Sequence, residues 1–122
     1  MKKILLVEDN DLNRDMMSRL LSRWGYDVVA ALDGGSAVEM VASQHPDLVL
    51  MDITLPGIDG FEATARIRAL PEGKSLPVIA LTARVLEEDR ARALAVGCND
   101  FETKPIDFHK LQGKLRALLE AP

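Results

Sequence analysis

Residues 48–52 read Leu48-Val49-Leu50-Met51-Asp52, an apolar run that ends abruptly in a carboxylate. His45-Pro46 comes before the run and Pro56-Gly57 comes after it, so turn signals bound it on both sides. A short apolar run of this kind is typical of a strand that is buried on both faces of a parallel sheet. Ligand sites in such sheets lie at the carboxyl ends of the strands. Asp52 is therefore predicted to lie at the lip of a crevice, although an Asp that merely caps a turn fits this stretch equally well taken alone.

The same alternation of short apolar runs and helical spacing extends along the chain. Strands are predicted at residues 3–7, 27–32, 48–52, 77–81 and 101–103, with helices that begin near residues 11, 36, 61, 86 and 108. Strands that alternate with helices indicate an α/β fold with a parallel sheet and right-handed crossovers. The three most apolar strands, the first, third and fourth, are expected at the centre. This favours a (βα)5 doubly wound parallel sheet with the flavodoxin-like order 2-1-3-4-5, in one domain over residues 1–122.

Three local features of the helices lead to separate expectations. In the first helix Leu12, Met16, Leu20 and Trp24, with Met17 and Leu21 beside them, repeat at helical spacing, which predicts a stripe that packs in the core. The fourth helix is rich in alanine and charged residues, and it has only a thin apolar face. Gly113 lies inside the fifth helix, where it costs about 1 kcal/mol relative to Ala; close packing and a contact surface both remain open as its reason.

Composition excludes several classes of protein. With 122 residues, 48% of them hydrophobic and 28% charged, the chain matches an ordinary globular domain, and no segment approaches the roughly 20 apolar residues of a membrane span. Met1-Lys2-Lys3 is followed by four apolar residues, too few for a secretion signal, so a cytoplasmic location is expected. The net charge is −4 and the basic residues are scattered, which disfavours nucleic-acid binding. Cys98 is the only cysteine and is expected to be a small residue in or near the core.

Polar and charged residues at the ends of four predicted strands suit one common site. They are Glu8 and Asp9 after the first, Asp52 at the end of the third, Thr82 after the fourth and Lys104 after the fifth. Three carboxylates at one edge repel one another, so a cation must compensate. Lys104 neutralises one charge, and the remaining oxygen donors suit Mg²⁺. His45 and His109 lack the spacing of a zinc site and are expected at the surface.

A carboxylate beside Mg²⁺, a hydroxyl and an ammonium suits covalent attachment of a phosphoryl group. An aspartate attacks phosphorus as a nucleophile. The transfer then needs positioning and neutralisation of charge on the phosphoryl oxygens, which the metal, Thr82 and Lys104 share. The sequence thus predicts a site that holds a phosphoryl group covalently on an aspartate, with no further general base required.

The pattern resembles the receiver domain of two-component response regulators over essentially the whole chain. The matching elements are Glu8-Asp9-Asn10, Asp52 with Pro56, Gly57 and Gly60 at the family's offsets, Thr82-Ala83, and Lys104-Pro105. The resemblance implies that Asp52 takes phosphate from a histidine kinase or a histidine phosphotransfer protein. It also implies that Glu8, Asp9, Asp52 and the main-chain carbonyl of Thr54 hold Mg²⁺, with Mn²⁺ as an alternative ion, and that the Lys104-Pro105 bond is cis.

The resemblance assigns further roles around this site. Thr82 and Lys104 would hold the phosphoryl oxygens, and Phe101, in the family's aromatic switch position, would swing inward on phosphorylation unless it is a fixed core ring. Thr54 and Arg84 would tune the phosphoryl lifetime. The downstream protein is expected to bind the face formed by the fourth helix, fifth strand and fifth helix. A stand-alone receiver is favoured, with a receiver from a hybrid kinase or multidomain regulator as the alternative.

Functions of other classes explain the residues less well. A phosphatase of the haloacid dehalogenase type also uses a strand-end Asp with Mg²⁺, but it expects a second Asp where Thr54 stands. Flavin binding suits the fold, yet the acidic turn after the first strand would repel a phosphate. No Gly-x-x-x-x-Gly-Lys phosphate-binding loop occurs. An interaction module with an inert site stays open.

Overall fold

The computed structural model describes residues 1–83 and 87–120, in which five parallel strands alternate with five α-helices. The strands are β1 (Lys3–Val7), β2 (Asp27–Ala31), β3 (Leu48–Asp52), β4 (Val78–Thr82) and β5 (Asp100–Thr103). The helices are α1 (Asp11–Arg23), α2 (Gly34–Gln44), α3 (Gly60–Ala69), α4 (Glu87–Ala95) and α5 (Phe108–Leu119). None of the described helices is both long and apolar enough to cross a lipid bilayer.

The sheet order is β2-β1-β3-β4-β5, as predicted. β3 pairs with β1 on one side and β4 on the other, and every residue of β3 is buried. Alternate residues of each strand face opposite layers, so that Ile4 packs towards α1 and α5 whereas Leu5 packs towards α2 and α3. The apolar run that ends in Asp52 is therefore the centre of a three-layer fold.

Four helices are preceded by a residue whose side chain accepts a hydrogen bond from the backbone N–H three residues further on. These N-caps are Asn10 for α1, Asp33 for α2, Asp59 for α3 and Asp107 for α5. A cap of this kind is worth about 1 kcal/mol, because it satisfies a donor that the first turn leaves unpaired. Asp33 accepts from Ser36 N at 2.7 Å, so α2 starts two residues before the predicted start.

The prediction of the buried face of α1 was wrong in part. The buried residues of α1 are Met17 and Leu21, which lie four residues apart and face the sheet. Leu12 is 82% exposed and Met16 is 47% exposed. Both series have helical spacing, and Met17 and Leu21 lie about 100° further round the helix than Met16 and Leu20. Periodicity gave the helix correctly but did not choose between two adjacent apolar rows.

A half-buried arginine fastens the edge of the sheet that lies opposite to Asp52. Arg68 donates to the carbonyl oxygens of Gly97 at 2.6 Å and Gly73 at 2.7 Å, and to Asn99 Oδ1 at 3.0 Å. Gly97 has a φ of +102°, and a Cβ there would lie 2.8 Å from Arg68 Nε. The turn that follows α4 is thus joined to α3 and to the segment before β4.

Residues 71–75 contain one turn of 3₁₀ helix at Pro71–Gly73. Gly73 is buried, and a Cβ there would collide with the carbonyl oxygen of Ile67. Gly113 is the opposite case, because it is exposed and a Cβ at this position meets no atom within 4 Å. Close packing is therefore excluded as the reason for Gly113 among the described residues.

We expect Gly113→Ala to raise the free energy of unfolding by about 0.5–1 kcal/mol, because alanine loses less backbone entropy on forming α5. Urea unfolding followed by circular dichroism measures the change. Gly73→Ala is the matched control, and it should lower the stability because its methyl group has no room. A destabilised Gly113→Ala protein would contradict the packing described for α5.

Candidate functional site

The strand pairing brings the predicted site residues to one edge of the sheet. Val7, the last residue of β1, pairs with Met51, so the Glu8-Asp9 turn leaves the sheet beside Asp52. Asp52 pairs in turn with Leu81, directly before Thr82. Residues that are 44 positions apart in the sequence thus become neighbours because parallel strands end together.

Glu8, Asp9 and Asp52 form a cluster of carboxylates. One oxygen from each residue lies within 4.8 Å of the others. Glu8 and Asp52 are buried whereas Asp9 is exposed, so the cluster is open to solvent on one side. Carboxylate oxygens from two buried and one exposed residue match the donors that Mg²⁺ takes, with room for water to complete its coordination. The donor set therefore fits a hard divalent cation.

Lys104 supplies positive charge to the same cluster. Its Nζ lies 3.2 Å from Asp52 Oδ2 and 3.5 Å from Glu8 Oε1. Burial lowers the pKa of Lys104, but the Asp52 and Glu8 carboxylates outweigh that effect and hold the pKa above its ordinary value. Lys104 therefore stays protonated, and its bond to Pro105 is cis, as expected.

Burial and the crowding of carboxylates raise the pKa of Glu8. Burial, together with the hydrogen bond and negative charge of Asp52, raises the pKa of Glu8 from 4.5 to about 7, although Asn10 N–H and Lys104 act in the opposite direction. The folded protein thus binds a proton that the unfolded chain releases between pH 4.5 and 7. This contribution to stability is complete below the unfolded pKa and is lost as the pH rises through about 7.

Thr54, in the loop after β3, and Thr82, at the end of β4, lie near Asp52. Thr54 N donates to Asp52 Oδ1 at 3.1 Å, which fixes the carboxylate relative to the loop after β3. Both threonines line a depression of about 360 Å³ with Ile53, Leu55, Asp59, Ala83 and Asp89. Arg84, which the sequence suggested as a residue that tunes the lifetime, lies outside the described residues.

Gly60 allows α3 to begin directly against the end of β3. Its N–H donates to the carbonyl oxygen of Ile53 at 3.0 Å. A Cβ at this position would lie 2.5 Å from the carbonyl oxygen of Asp52. A larger residue here would push apart the strand end and the first turn of α3, so Gly60 helps to set the position of Asp52.

Phe101 and α4 both contact charged side chains in addition to the apolar core. Ala93 is the only buried residue among residues 88–95 of α4. The guanidinium of Arg90 lies 4.7 Å from the centre of the Phe101 ring, and Arg92 lies 4.5 Å from that of Phe61. Each such contact contributes about 0.5–1 kcal/mol at an exposed site. The predicted thin apolar face of α4 is confirmed for these residues, and Phe101 is half-buried beneath Arg90.

Two arginine contacts were not predicted from the sequence, one between α1 and the site and one between α4 and α3. Arg14 donates to the main-chain oxygen of Glu8, and Arg92 lies 3.7 Å from Asp59, the N-cap of α3. The signal for Arg14 was its place one helical turn after Asn10, where its side chain reaches back to the preceding loop. Arg92 carried no such signal, because it contacts a part of the chain that is distant in sequence.

Comparisons with known proteins agree with this arrangement. The family model of the response regulator receiver domain matches residues 4–116. The receiver domain of sensor histidine kinase PA1611 from Pseudomonas aeruginosa PAO1, solved with a magnesium ion coordinated in its active site cleft, is 41% identical. It superimposes with a TM-score of 0.91 over 98% of both chains. The chemotaxis protein CheY4 of Vibrio cholerae is 30% identical, with a TM-score of 0.92 over 98% of this chain and 99% of that one.

A curated relative extends the comparison to longer proteins. The transcriptional regulatory protein AfsQ1 of Streptomyces coelicolor is 39% identical over 119 residues, which are 98% of this chain and 52% of AfsQ1. The chain thus spans about half the length of that regulator. The protein belongs to the response regulator receiver domain family of two-component signalling.

We expect Asp52→Asn to raise the melting temperature in the presence of a chelator, because it removes one of three crowded charges and keeps the shape of the side chain. Lys104 retains Glu8 as a partner in the variant. The difference should be largest at pH 8, where Glu8 is ionised, and smaller at pH 6, below the Glu8 pKa of about 7. Differential scanning calorimetry measures both effects.

Added Mg²⁺ should stabilise the wild type more than Asp52→Asn. An ion that binds only the folded state stabilises it by about 2.7 kcal/mol at a hundredfold excess over Kd. Asp27→Asn changes an exposed carboxylate at the start of β2 and serves as the matched control. If Asp52→Asn melts below the wild type in chelator and neither protein responds to Mg²⁺, Asp52 merely caps a turn.

Proposed function

We propose that the protein is a phosphoacceptor whose Asp52 takes a phosphoryl group from the phosphohistidine of a histidine kinase or a phosphotransfer protein. The observation that carries the proposal is the contact of Asp52 with Lys104 at 3.2 Å inside a cluster of three carboxylates. An Asp that caps a turn needs neither an ammonium in contact with it nor two further acids. Family membership favours the same activity over a haloacid dehalogenase phosphatase, as does Thr54 in the place of that enzyme's second Asp.

In the proposed reaction an oxygen of Asp52 attacks phosphorus. A P–O bond forms as the P–N bond of the phosphohistidine breaks, and the imidazole leaves with the electron pair and takes up one proton from solvent. Thr54 N–H holds one oxygen of Asp52 at 3.1 Å, which leaves Oδ2, the oxygen beside Lys104, as the attacking atom. The protein thus orients a carboxylate nucleophile, and the reaction needs no general base.

The remaining residues neutralise charge on the phosphoryl group. Glu8, Asp9, Asp52 and the main-chain carbonyl of Thr54 would hold Mg²⁺, which when bound screens the negative charges of carboxylate and phosphoryl group from each other. Lys104 donates to a phosphoryl oxygen once it turns away from the unphosphorylated carboxylate. Thr82, on the neighbouring strand, donates its hydroxyl to a second oxygen. The magnesium ion in the cleft of the PA1611 receiver supports this assignment.

Acetyl phosphate with Mg²⁺ should add one phosphoryl group to the wild-type chain, because the site itself supplies the positioning that the reaction requires. Intact-protein mass spectrometry measures the addition. The added mass should be absent in Asp52→Asn and in excess chelator, whereas Asp27→Asn should react like the wild type. An equal yield of phosphorylated protein from Asp52→Asn would place the acceptor elsewhere.

For the output we propose that the face formed by α4, β5 and α5 binds the downstream protein. α4 adjoins Thr82 at one end and has a single buried side chain among residues 88–95. Few buried apolar contacts permit small displacements of a helix at low cost. Phe101 lies under Arg90 on this face, so a shift of α4 would change the exposure of its ring. Thr54 and Arg84 would tune the lifetime of the phosphoryl group.

Amide hydrogen exchange before and after addition of beryllofluoride, a phosphoryl mimic, tests this face. Protection should change in α4 and β5, because these elements adjoin the acceptor and are weakly anchored. Asp52→Asn with the same reagents is the control and should show no change. Changes confined to α1 and α2 would contradict the proposed output face.

A further inference from the structure

The loop between β1 and α1 carries two of the three clustered carboxylates, and its geometry decides where they point. Glu8 N donates to the carbonyl oxygen of Ala31 at 3.1 Å, which ties the start of the loop to β2. Asn10 N donates to Glu8 Oε2 at 3.3 Å, and Asn13 N donates to Asn10 Oδ1 at 2.9 Å. The main-chain N–H of Glu8 and the region around Asn10 are thus both fixed.

Arg14 fixes the remaining main-chain group of Glu8. Its Nη1 donates to the carbonyl oxygen of Glu8 at 3.1 Å, while Nη2 pairs with Asp11 Oδ1 at 2.6 Å. The guanidinium therefore joins the main chain of Glu8 to Asp11 in the first turn of α1. Asp9, the exposed acid of the loop, directly follows the residue that is held. Only an arginine offers two donors in a rigid fork that reaches two acceptors together.

The burial of Arg14 distinguishes it from an ordinary surface arginine. Its side chain is 21% exposed, although the Asp11 side chain with which it pairs is 88% exposed. Arg19, one and a half turns further along α1, pairs with Asp15 at 3.2 Å and is 79% exposed. The two arginines lie on the same helix and each pairs with an aspartate, but only Arg14 also contacts Glu8.

We propose that Arg14 is a positioning residue for the carboxylate cluster, which holds the Glu8–Asp9 peptide so that both acids face Asp52. The inference rests on the proposed function, because it concerns how the cluster binds Mg²⁺. Arg14 acts through the main chain of Glu8 and does not itself contact the metal. Groups that orient metal ligands in this way typically contribute a factor of 10–100 to metal affinity.

The charge of Arg14 and its positioning role have opposite effects on Mg²⁺ affinity. The direction in which the affinity changes after substitution therefore tests the proposal. Arg14 is a cation near a cation site, so its charge alone weakens Mg²⁺ binding. Removing the side chain also leaves Asp11 without its partner, which adds attraction for a cation. A purely electrostatic role therefore predicts tighter Mg²⁺ binding after Arg14→Met, whereas a positioning role predicts weaker binding.

Isothermal titration calorimetry with MgCl₂ on the full chain measures the dissociation constant directly. We expect the Kd to rise on the order of tenfold in Arg14→Met. Arg14→Lys keeps the charge but offers one ammonium to two acceptors, so its Kd should lie between those of the wild type and Arg14→Met. Arg19→Met removes the matched surface arginine and should leave the Kd within about twofold of the wild type, the expected size for an exposed ion pair.

Thermal melts in chelator separate positioning from loss of fold. A merely structural contact would lower the melting temperature of Arg14→Met and leave the Kd of the folded protein unchanged, and that result would overturn the inference. Tighter binding in Arg14→Met, or an Arg14→Lys protein that equals the wild type, would also overturn it. If the wild type itself binds no Mg²⁺, the proposed function fails instead, so the two failures are distinct.

Discussion

Asp52 holds its carboxylate at the buried end of β3 beside those of Glu8 and Asp9, and Lys104 Nζ lies within 3.5 Å of two of the three acids. Such crowding is unfavourable unless other interactions force it. The force comes from the sheet, since β1 and β3, which deliver the three acids, are almost entirely buried between two helical layers. Each fully buried aliphatic side chain contributes about 1.5–3 kcal/mol, so the core offsets the electrostatic cost of the site. A divalent cation bound at the cluster would relieve the repulsion that remains.

Much of this arrangement could be predicted from the sequence, because it depends on apolar runs that end in polar residues. The strands and the meeting of Glu8, Asp9, Asp52 and Lys104 follow from that pattern and are confirmed. The strand order, which the pattern favoured but did not determine, is confirmed as well. The face of α1 could not be chosen from periodicity, because Leu12 and Met16 repeat just as Met17 and Leu21 do. The contacts of three arginines could not be predicted either, for a related reason. Arg14 and Arg68 bind main-chain oxygens and Arg90 covers a ring, so the identity of their partners depends on backbone geometry that a residue pattern does not contain.

The two ends of the sheet are stabilised by different physics. At the carboxyl end, ionised groups in contact make stability depend on pH and on ions, as the raised pKa of Glu8 shows. At the amino end, Arg68 meets neutral carbonyl and amide oxygens, whose dipoles do not titrate. The acceptors of Arg68 therefore do not change their charge with pH, unlike the carboxylates of the acidic cluster.

The contact between Arg68 and Gly97 has a mechanical consequence for α4. Gly97 follows the last turn of that helix and is held to α3 by two donors of one guanidinium, at 3.1 and 2.6 Å. The opposite end of α4 adjoins the depression beside Thr82 and has no comparable tether among the described residues. Because one end of α4 is held at Gly97, a displacement near Thr82 would tilt the helix about that end. The amplitude of the tilt would decrease along the helix, so the end near Thr82 would move furthest.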